Sequence, residues 1–410
     1  MGKTTISLNQ LKNDLNERCV HVEDRHVGSK GNQQVSNYIS KRLASSGFNV
    51  SKPEFNCIDW EYGRCLVEID GKYLNAFISP YSNPCDLKKV FETAKTKSDL
   101  LNKDFKGKIA VLYGDLCKEQ IMPKNFEFYN PKEHQEIIGL LEKIEPVAIV
   151  AITGKHPELA GALDPFPLFE DGDFDIPSVY LTKAEGEKIL NEKGKKMSVS
   201  IESSRIPSFG YNVIGTKKGS VSERIVICAH LDSKKGSPGA LDNGTGLGVL
   251  LLLADKLTNY QGKYTIEIAA LNGEDYYTNP GQMLYLEQNQ DAFQNILLAV
   301  NCDGAAYYKG KTSYCPFELN EEMRKAVEKH FTDRNGFIEA KKWYQGDHML
   351  FVMNEIPSLA ITSEYFNEVS SEIAHTPQDT IDKVNFIEIN HIVDALINLI
   401  KSHSSSLKQM

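Results

Sequence analysis

The stretch ERIVICAHLDSKKGSPGALDNGTGLGVLLLLADKLTNY, Glu223 to Tyr260, decides how the rest of the chain is read. Its first part is a short apolar, β-branched run that ends on His230 and reads as a strand. A glycine-rich loop follows, and TGLGVLLLLADKLTNY then reads as a buried helix. Downstream, KYTIEIAALNGED (263–275), NILLAVNCDGA (295–305) and IPSLAIT (356–362) repeat the strand-then-loop pattern. Strands alternating with helical segments are the mark of an α/β fold. The last segment opens with Asn385 and Glu388 at capping-box spacing and continues as INHIVDALINLI at helical period. In open α/β sheets, sites collect beyond the carboxyl ends of the strands, which is where the charged residues of this region fall.

Upstream, residues from about 61 to 205 read differently. GKIAVLYGD, EPVAIVAITG and IPSVYLTKAEG are strand-like, but no constellation of metal-type residues follows them. The acidic loop FEDGDFD has some of the look of a calcium loop but lacks a closing Glu at the required spacing, so a solvated turn is expected there. MGKTT contains a Gly-Lys-Thr without the upstream glycine and strand of a phosphate loop.

The length of 410 residues predicts about two domains, and 41% hydrophobic with 25% charged residues is a globular composition. A net charge of -9 argues against nucleic acid or an anionic membrane as partner. No apolar run is long enough to span a bilayer, and the first residues lack the apolar core of a signal peptide, so a cytoplasmic location is expected. The eight cysteines are scattered singly, as reduced thiols are, and each is expected to act as a small buried hydrophobe.

The chemistry concentrates at the strand ends. His230 and Asp232 stand two apart, so in a strand they share a face, and a carboxylate there can accept the second ring N–H of a ligand histidine. Asp242 follows among Gly239, Gly244 and Gly246. Glu274 and Asp275 are adjacent, Asp303 closes an apolar strand, and His375 lies in AHTPQDT. Singly, each has an ordinary reading: a histidine on a strand is most often a packed core residue, and an acidic pair a solvated loop. As five candidate ligands at strand ends, His230, Asp242, Asp275, Asp303 and His375 form a consistent set.

The elements HxD, DNGTG, GED, NxDG and HTPxDT occur in an order that resembles the co-catalytic zinc aminopeptidase family, to which bacterial leucyl-type aminopeptidases and the glutamate carboxypeptidase group belong. The likeness covers HVGSKGNQQVSNYISKRLASSGFNV near the start and everything from about Asn212 onward. It implies a mixed central sheet with flanking helices, formed by residues 1–60 and 206–410. Residues 61–205 resemble an inserted protease-associated domain rich in β structure, with PFPLFEDGDFDIPSVYL as its best piece. The resemblance further implies two Zn2+ per chain, with Co2+ or Mn2+ as substitutes. One takes His230 and Asp303, the other Asp275 and His375, and Asp242 bridges them. Glu274 falls on the general-base position and Asp232 on the carboxylate behind the ligand histidine. A cis peptide bond between Asp242 and Asn243 is also implied. Three ligand carboxylates and one hydroxide neutralise two divalent cations, so such a site tolerates burial.

The implied activity is that of an aminopeptidase acting on peptides, with Glu274 handling protons. The rivals are a carboxypeptidase or dipeptidase of the same fold, a single-zinc glutaminyl-cyclase-like transferase, and a non-enzymatic binding protein. A carboxypeptidase wants a cation for the terminal carboxylate, yet no Arg occurs between Arg224 and Arg324 or after Arg334. Two departures from the family stand out. Asp275 occupies a position that is Glu in many relatives, and Ala374 stands where many place a Tyr that stabilises the oxyanion. Tyr365 lies upstream, and Asp347 and His348 in QGDHMLF resemble a loop near the family's site without a firm role.

Overall fold

The computed structural model describes residues 2–19, 21–22, 24–154 and 166–405. The chain divides into two compact units, Met1–Cys57 with Phe209–Met410, and Ile58–Ser208. In the first unit four parallel strands lie side by side: β1 (Arg224–His230), β2 (Thr265–Leu271), β3 (Ile296–Cys302) and β4 (Ser358–Ser363). Their order is β2-β1-β3-β4 within an eight-stranded sheet whose outer strands pair antiparallel on both sides, apart from the parallel edge strand Phe337–Glu339. Six of the seven residues of β1 and of β2 are buried, the pattern of strands covered on both faces.

Helices α1 (Lys30–Ser45), α2 (Thr245–Lys256), α3 (Pro280–Asn289) and α4 (Phe386–Ser405) belong to the same unit. Every residue of α2 from Thr245 to Ala254 is buried, as a helix apolar on all sides requires. A Cβ at Gly248 would come within 3.0 Å of Leu15 Cδ1 and 3.1 Å of Leu11 Cδ1, so the missing side chain lets α2 approach the helix Gly2–Cys19 closely. Ser29 caps α1 by accepting from the Asn32 amide at 3.0 Å. The buried Lys217 ammonium donates to Ser46 O, Leu257 O and Thr258 O, just past the C-terminal ends of α1 and α2, where a cation is favoured.

The expected capping box at α4 does not form. Asn385 Oδ1 accepts from the Ile387 amide, the Asn385 amide donates to Ala306 O, and Glu388 turns to Thr312 Oγ1 and His391 Nδ1. The Asn385 side chain stays local, while its amide and Glu388 find tertiary partners.

The second unit also has a parallel core. Cys85–Ala94, Ile109–Leu112, Ala148–Ile152 and Ser178–Leu181 run parallel in that order, with the helix Lys132–Ile144 burying Ile137, Ile138 and Leu141. Its acidic loop is not the expected solvated turn. Glu170 and Asp171 are buried, and Asp171 accepts from the amides of Asp173 at 2.8 Å and Lys124 at 2.7 Å. All eight cysteines are free thiols; Cys57, Cys65 and Cys85 are only partly buried. No helix among the described residues is long and apolar enough to cross a membrane.

Candidate metal centre

All four parallel strands lead into the site. His230 is the last residue of β1, Asp303 follows β3 directly, and Glu274 and Asp275 stand just beyond β2. Asp242 lies in the irregular stretch before α2, and His375 comes from the loop after β4, with φ at 64°. The peptide bond between Asp242 and Asn243 is cis.

Asp242 sits at the centre of two groups of side chains. His230 Nε2 lies 3.0 Å from Asp242 Oδ1 and 3.5 Å from Asp303 Oδ1. His375 Nε2 lies 3.1 Å from Asp242 Oδ2 and 2.8 Å from Asp275 Oδ1. Each trio offers ligand atoms all within 4.8 Å of one another. The two carboxylate oxygens of Asp242 therefore face different partners.

The five residues that the sequence singles out as ligands are thus brought together in space. They fit divalent cations: the donors are imidazole nitrogens and carboxylate oxygens, with no thiol among them. The buried atoms His230 Nε2 and Asp275 Oδ2 lack an aligned hydrogen-bond partner, although charged groups crowd around them. Converging lone pairs without protons to link them are what a cation completes.

The charge state points the same way. Burial alone would lower the His230 imidazole, but Asp303, Asp232 and Asp242 raise its pKa well above the ordinary histidine value. Burial likewise works against His375, and Asp275 and Asp242 reverse it. Burial would raise Asp242, yet hydrogen bonds from His230 and His375 pull it well below the usual carboxylate range. Glu274 goes the opposite way. Burial, joined by the charges of Asp275, Asp303 and Asp347, outweighs His230 and raises it well above its ordinary value. The cluster thus gathers Asp242, Asp275, Asp303 and Glu274 around two imidazoles.

Asp232 behaves differently from the expectation. The ring of His230 meets Asp232 through its main-chain oxygen, 3.2 Å from Nδ1, while the carboxylate is 3.8 Å away. The carboxylate accepts from the amides of Gly273 at 2.8 Å and Asp275 at 3.0 Å. The reason is local: β1 ends at His230, so the two-residue alternation that would place both side chains on one face no longer applies at Asp232. Asp232 fixes the loop that carries Glu274 and Asp275.

Several supporting residues were not singled out in the sequence. Asp379, within the HTPQDT motif, accepts from Leu241 N at 2.7 Å and Asp242 N at 3.0 Å. Burial and the charge of Asp242 raise its pKa to about 7. Asn243 Nδ2 donates to Cys302 O, and its Oδ1 accepts from Gly246 N. A Cβ at Gly246 would lie 2.3 Å from Asn243 Oδ1 and 2.4 Å from Cys302 O, so only glycine fits. Asn279 Nδ2 holds the carbonyls of Gly273 and Glu274. The motif positions of Asp379 and Asn243 were the available signal; nothing in the sequence marks Asn279.

The residues left without a role also find places. Asp347 is buried, accepts from Gln282 Nε2 at 2.9 Å, and is raised by burial to about 7. His348 is buried with Nε2 3.0 Å from Trp343 O, and burial lowers it to about 4. Gly346 brings this loop against Asp303, since a Cβ there would be 3.3 Å from Asp303 Oδ2. Tyr365 is 45% exposed and packs at Gly310, while Ala374 is buried.

Known proteins are similar to this chain in sequence or in fold. The chain is 26% identical over 294 residues to a probable lipoprotein aminopeptidase, LpqL, of Mycobacterium tuberculosis, covering 68% of this chain and 54% of that protein. It therefore spans about half the length of that relative. It is 25% identical over 410 residues to leucine aminopeptidase 2 of Arthroderma otae, covering 89% of this chain and 77% of that one. Among solved structures, BSAP, a zinc aminopeptidase from Bacillus subtilis, superposes with a TM-score of 0.76 at 17% identity, covering 98% and 96% of the two chains. An aminopeptidase from Aneurinibacillus sp. strain AM-1 gives 0.74 at 18% identity, covering 97% and 93%. At such identities the structural likeness speaks for the fold. The profile of peptidase family M28 matches residues 212–400. That segment, similar to peptidase family M28, carries His230, Asp232, Asp242, Glu274, Asp275, Asp303 and His375.

Proposed function

We propose that the chain is a metal-dependent exopeptidase, an aminopeptidase that releases N-terminal residues from peptides with two zinc ions per chain. The observation that carries this reading is the shared carboxylate: each oxygen of Asp242 faces its own histidine and second carboxylate, with Glu274 beside one of the pairs. His230 and Asp303 would hold one cation and Asp275 and His375 the other, with Asp242 available to both. When bound, such cations supply Lewis acidity to a water and to the scissile carbonyl. Asp232 and Asp379 hold the ligand loops through main-chain amides, so the carboxylates keep their places. Glu274 belongs to neither ligand trio; its carboxylate would accept the proton of the attacking water and return it to the leaving amine nitrogen.

A substrate anchored by its C-terminal carboxylate needs a cation to hold it, and between Arg224 and Arg324 the chain offers no arginine to do so, which favours a substrate held by its free N-terminal amine. The relatives named aminopeptidases support the same choice. A panel of free-amine, blocked-amine and carboxyl-varied peptides, assayed with defined metals, tests it. Cleavage confined to free-amine peptides, with about two metal ions per chain, is the expected result. Cleavage of blocked-amine peptides at equal rate overturns the aminopeptidase assignment, and a stoichiometry of one metal points to the transferase.

A further inference from the structure

Arg25 is among the largest fully buried side chains in the protein, at 1% exposure, and the mechanism above does not use it. Its guanidinium lies beneath the loop that links β1 to Asp242. Nε donates to Leu231 O at 3.0 Å, Nη1 to Pro238 O, and Nη2 to Gly239 O at 2.6 Å and Asp242 O at 3.2 Å. Nη1 also approaches Cys19 Sγ at 3.8 Å. Four carbonyls of one irregular segment thus converge on one rigid fork of donors.

Asp379 grips the same segment from its amide side, at Leu241 N and Asp242 N. The main chain of Asp242 is therefore held at its N–H by an anion and at its C=O by a cation. The Arg25 main chain reaches the other ligand loop as well. Its carbonyl accepts from Asn32 Nδ2 at 2.9 Å, and Asn32 exchanges side-chain hydrogen bonds with Asn272, two residues before Glu274.

We infer that Arg25 is a positioning residue for the shared carboxylate, setting the affinity of the site for metal through the carbonyls of Leu231, Pro238, Gly239 and Asp242. A guanidinium suits the task because its five donors are fixed in a plane, whereas an ammonium presents three from a single atom. Without it, the carbonyls of Leu231, Pro238 and Asp242 lose this donor, Gly239 O keeps the Gly244 amide and the Cys19 thiol, and the loop bearing Asp242 is held less tightly. This inference rests on the metal reading of the site but not on the identity of the substrate.

The test compares two buried cations. Lys217 also donates to three carbonyls, those of Ser46, Leu257 and Thr258, none of them in a ligand loop. Metal affinity of the folded, metal-stripped protein is measured by competition with a chromogenic chelator, with thermal melting alongside. Arg25→Lys is expected to weaken metal binding by about 10–100-fold. Lys217→Met is expected to lower the melting temperature while leaving metal affinity within about twofold, far below the change in a residue that supports ligands. Gly239→Ala provides a second probe, since its Cβ would lie 2.5 Å from both Arg25 Nη2 and Asp242 O and so wedges apart the contact between them without deleting the guanidinium.

Unchanged metal affinity in Arg25→Lys and Gly239→Ala overturns the inference, as does an equal loss in Lys217→Met. Failure of both Arg25→Lys and Gly239→Ala to fold, while Lys217→Met folds, also overturns it in favour of a purely structural role. A wild-type protein that binds metal but cleaves no free-amine peptide breaks the proposed activity alone and leaves the Arg25 measurement intact.

Discussion

Both units of this protein are built on eight-stranded sheets with four parallel strands at the core, and both bury acidic side chains near strand ends. They differ in what those acids meet. In the second unit Asp171 is 4% exposed, and each of its oxygens accepts from a backbone amide. In the first unit Asp242, Asp275 and Asp303 crowd around two histidines, and Asp275 Oδ2 and His230 Nε2 are left without aligned partners. A buried carboxylate whose hydrogen bonds are complete organises a loop. Carboxylates that gather with their bonding incomplete attract a cation. The difference lies in satisfaction, not in acidity or burial.

The sharpest way to break this comparison is to act on the unsatisfied acids. Glu274→Gln keeps the shape of the site and removes a proton acceptor, so kcat should fall by about 10²–10⁴-fold with metal content unchanged. Asp275→Asn should instead lose metal first, because an amide is a poor ligand, with partial recovery of activity in excess metal. Metal analysis beside kcat separates the two, and full activity in Glu274→Gln, or equal metal loss in both, would remove the distinction drawn between the neighbours.

Asp232→Ala should come next in size. It strips the acceptor from the amides of Gly273 and Asp275, and a loss of about 10–100-fold in metal affinity is expected from residues that orient ligands. Chelator competition reads it; wild-type affinity would mean that the loop holds itself.

The smallest effect belongs to the second unit. Asp171→Ala leaves two buried amides unsatisfied and should cost about 1–3 kcal/mol of stability in denaturant melts. Metal content and kcat should stay at wild-type values. A loss of metal in this variant would erase the contrast between the two acidic clusters.

The difference between organising and binding acids was only partly legible in the sequence. FEDGDFD and NGED look alike as strings of acids, and the first was expected to be solvated. Its burial follows from the amides of Lys124 and Asp173 folding over Asp171, a contact that spans 47 residues in the case of Lys124. Asp232 was expected to back His230 by strand alternation, yet the strand stops one residue too early, and amides 41 and 43 residues away claim the carboxylate. Asn385 and Glu388 had capping-box spacing, yet the Asn385 amide went to Ala306 O and Glu388 to Thr312 Oγ1, both far away in sequence, while Asn385 Oδ1 took the nearby Ile387 amide.

The sequence by itself determined the α/β pattern and the set of candidate ligands, since hydrophobic periodicity and the placement of His230, Asp275 and Asp303 at or just past strand ends, with Asp242 and His375 in the connections that follow, are local properties that survive without coordinates. Only the tertiary structure decided that Asp242 turns one oxygen to each histidine, that Asp232 and Asp379 serve main-chain amides, and that Arg25 grips carbonyls 206 to 217 residues downstream. The physical reason is that a buried polar group takes whichever partner the packed chain brings within about 3 Å, and that choice depends on segments far apart in sequence.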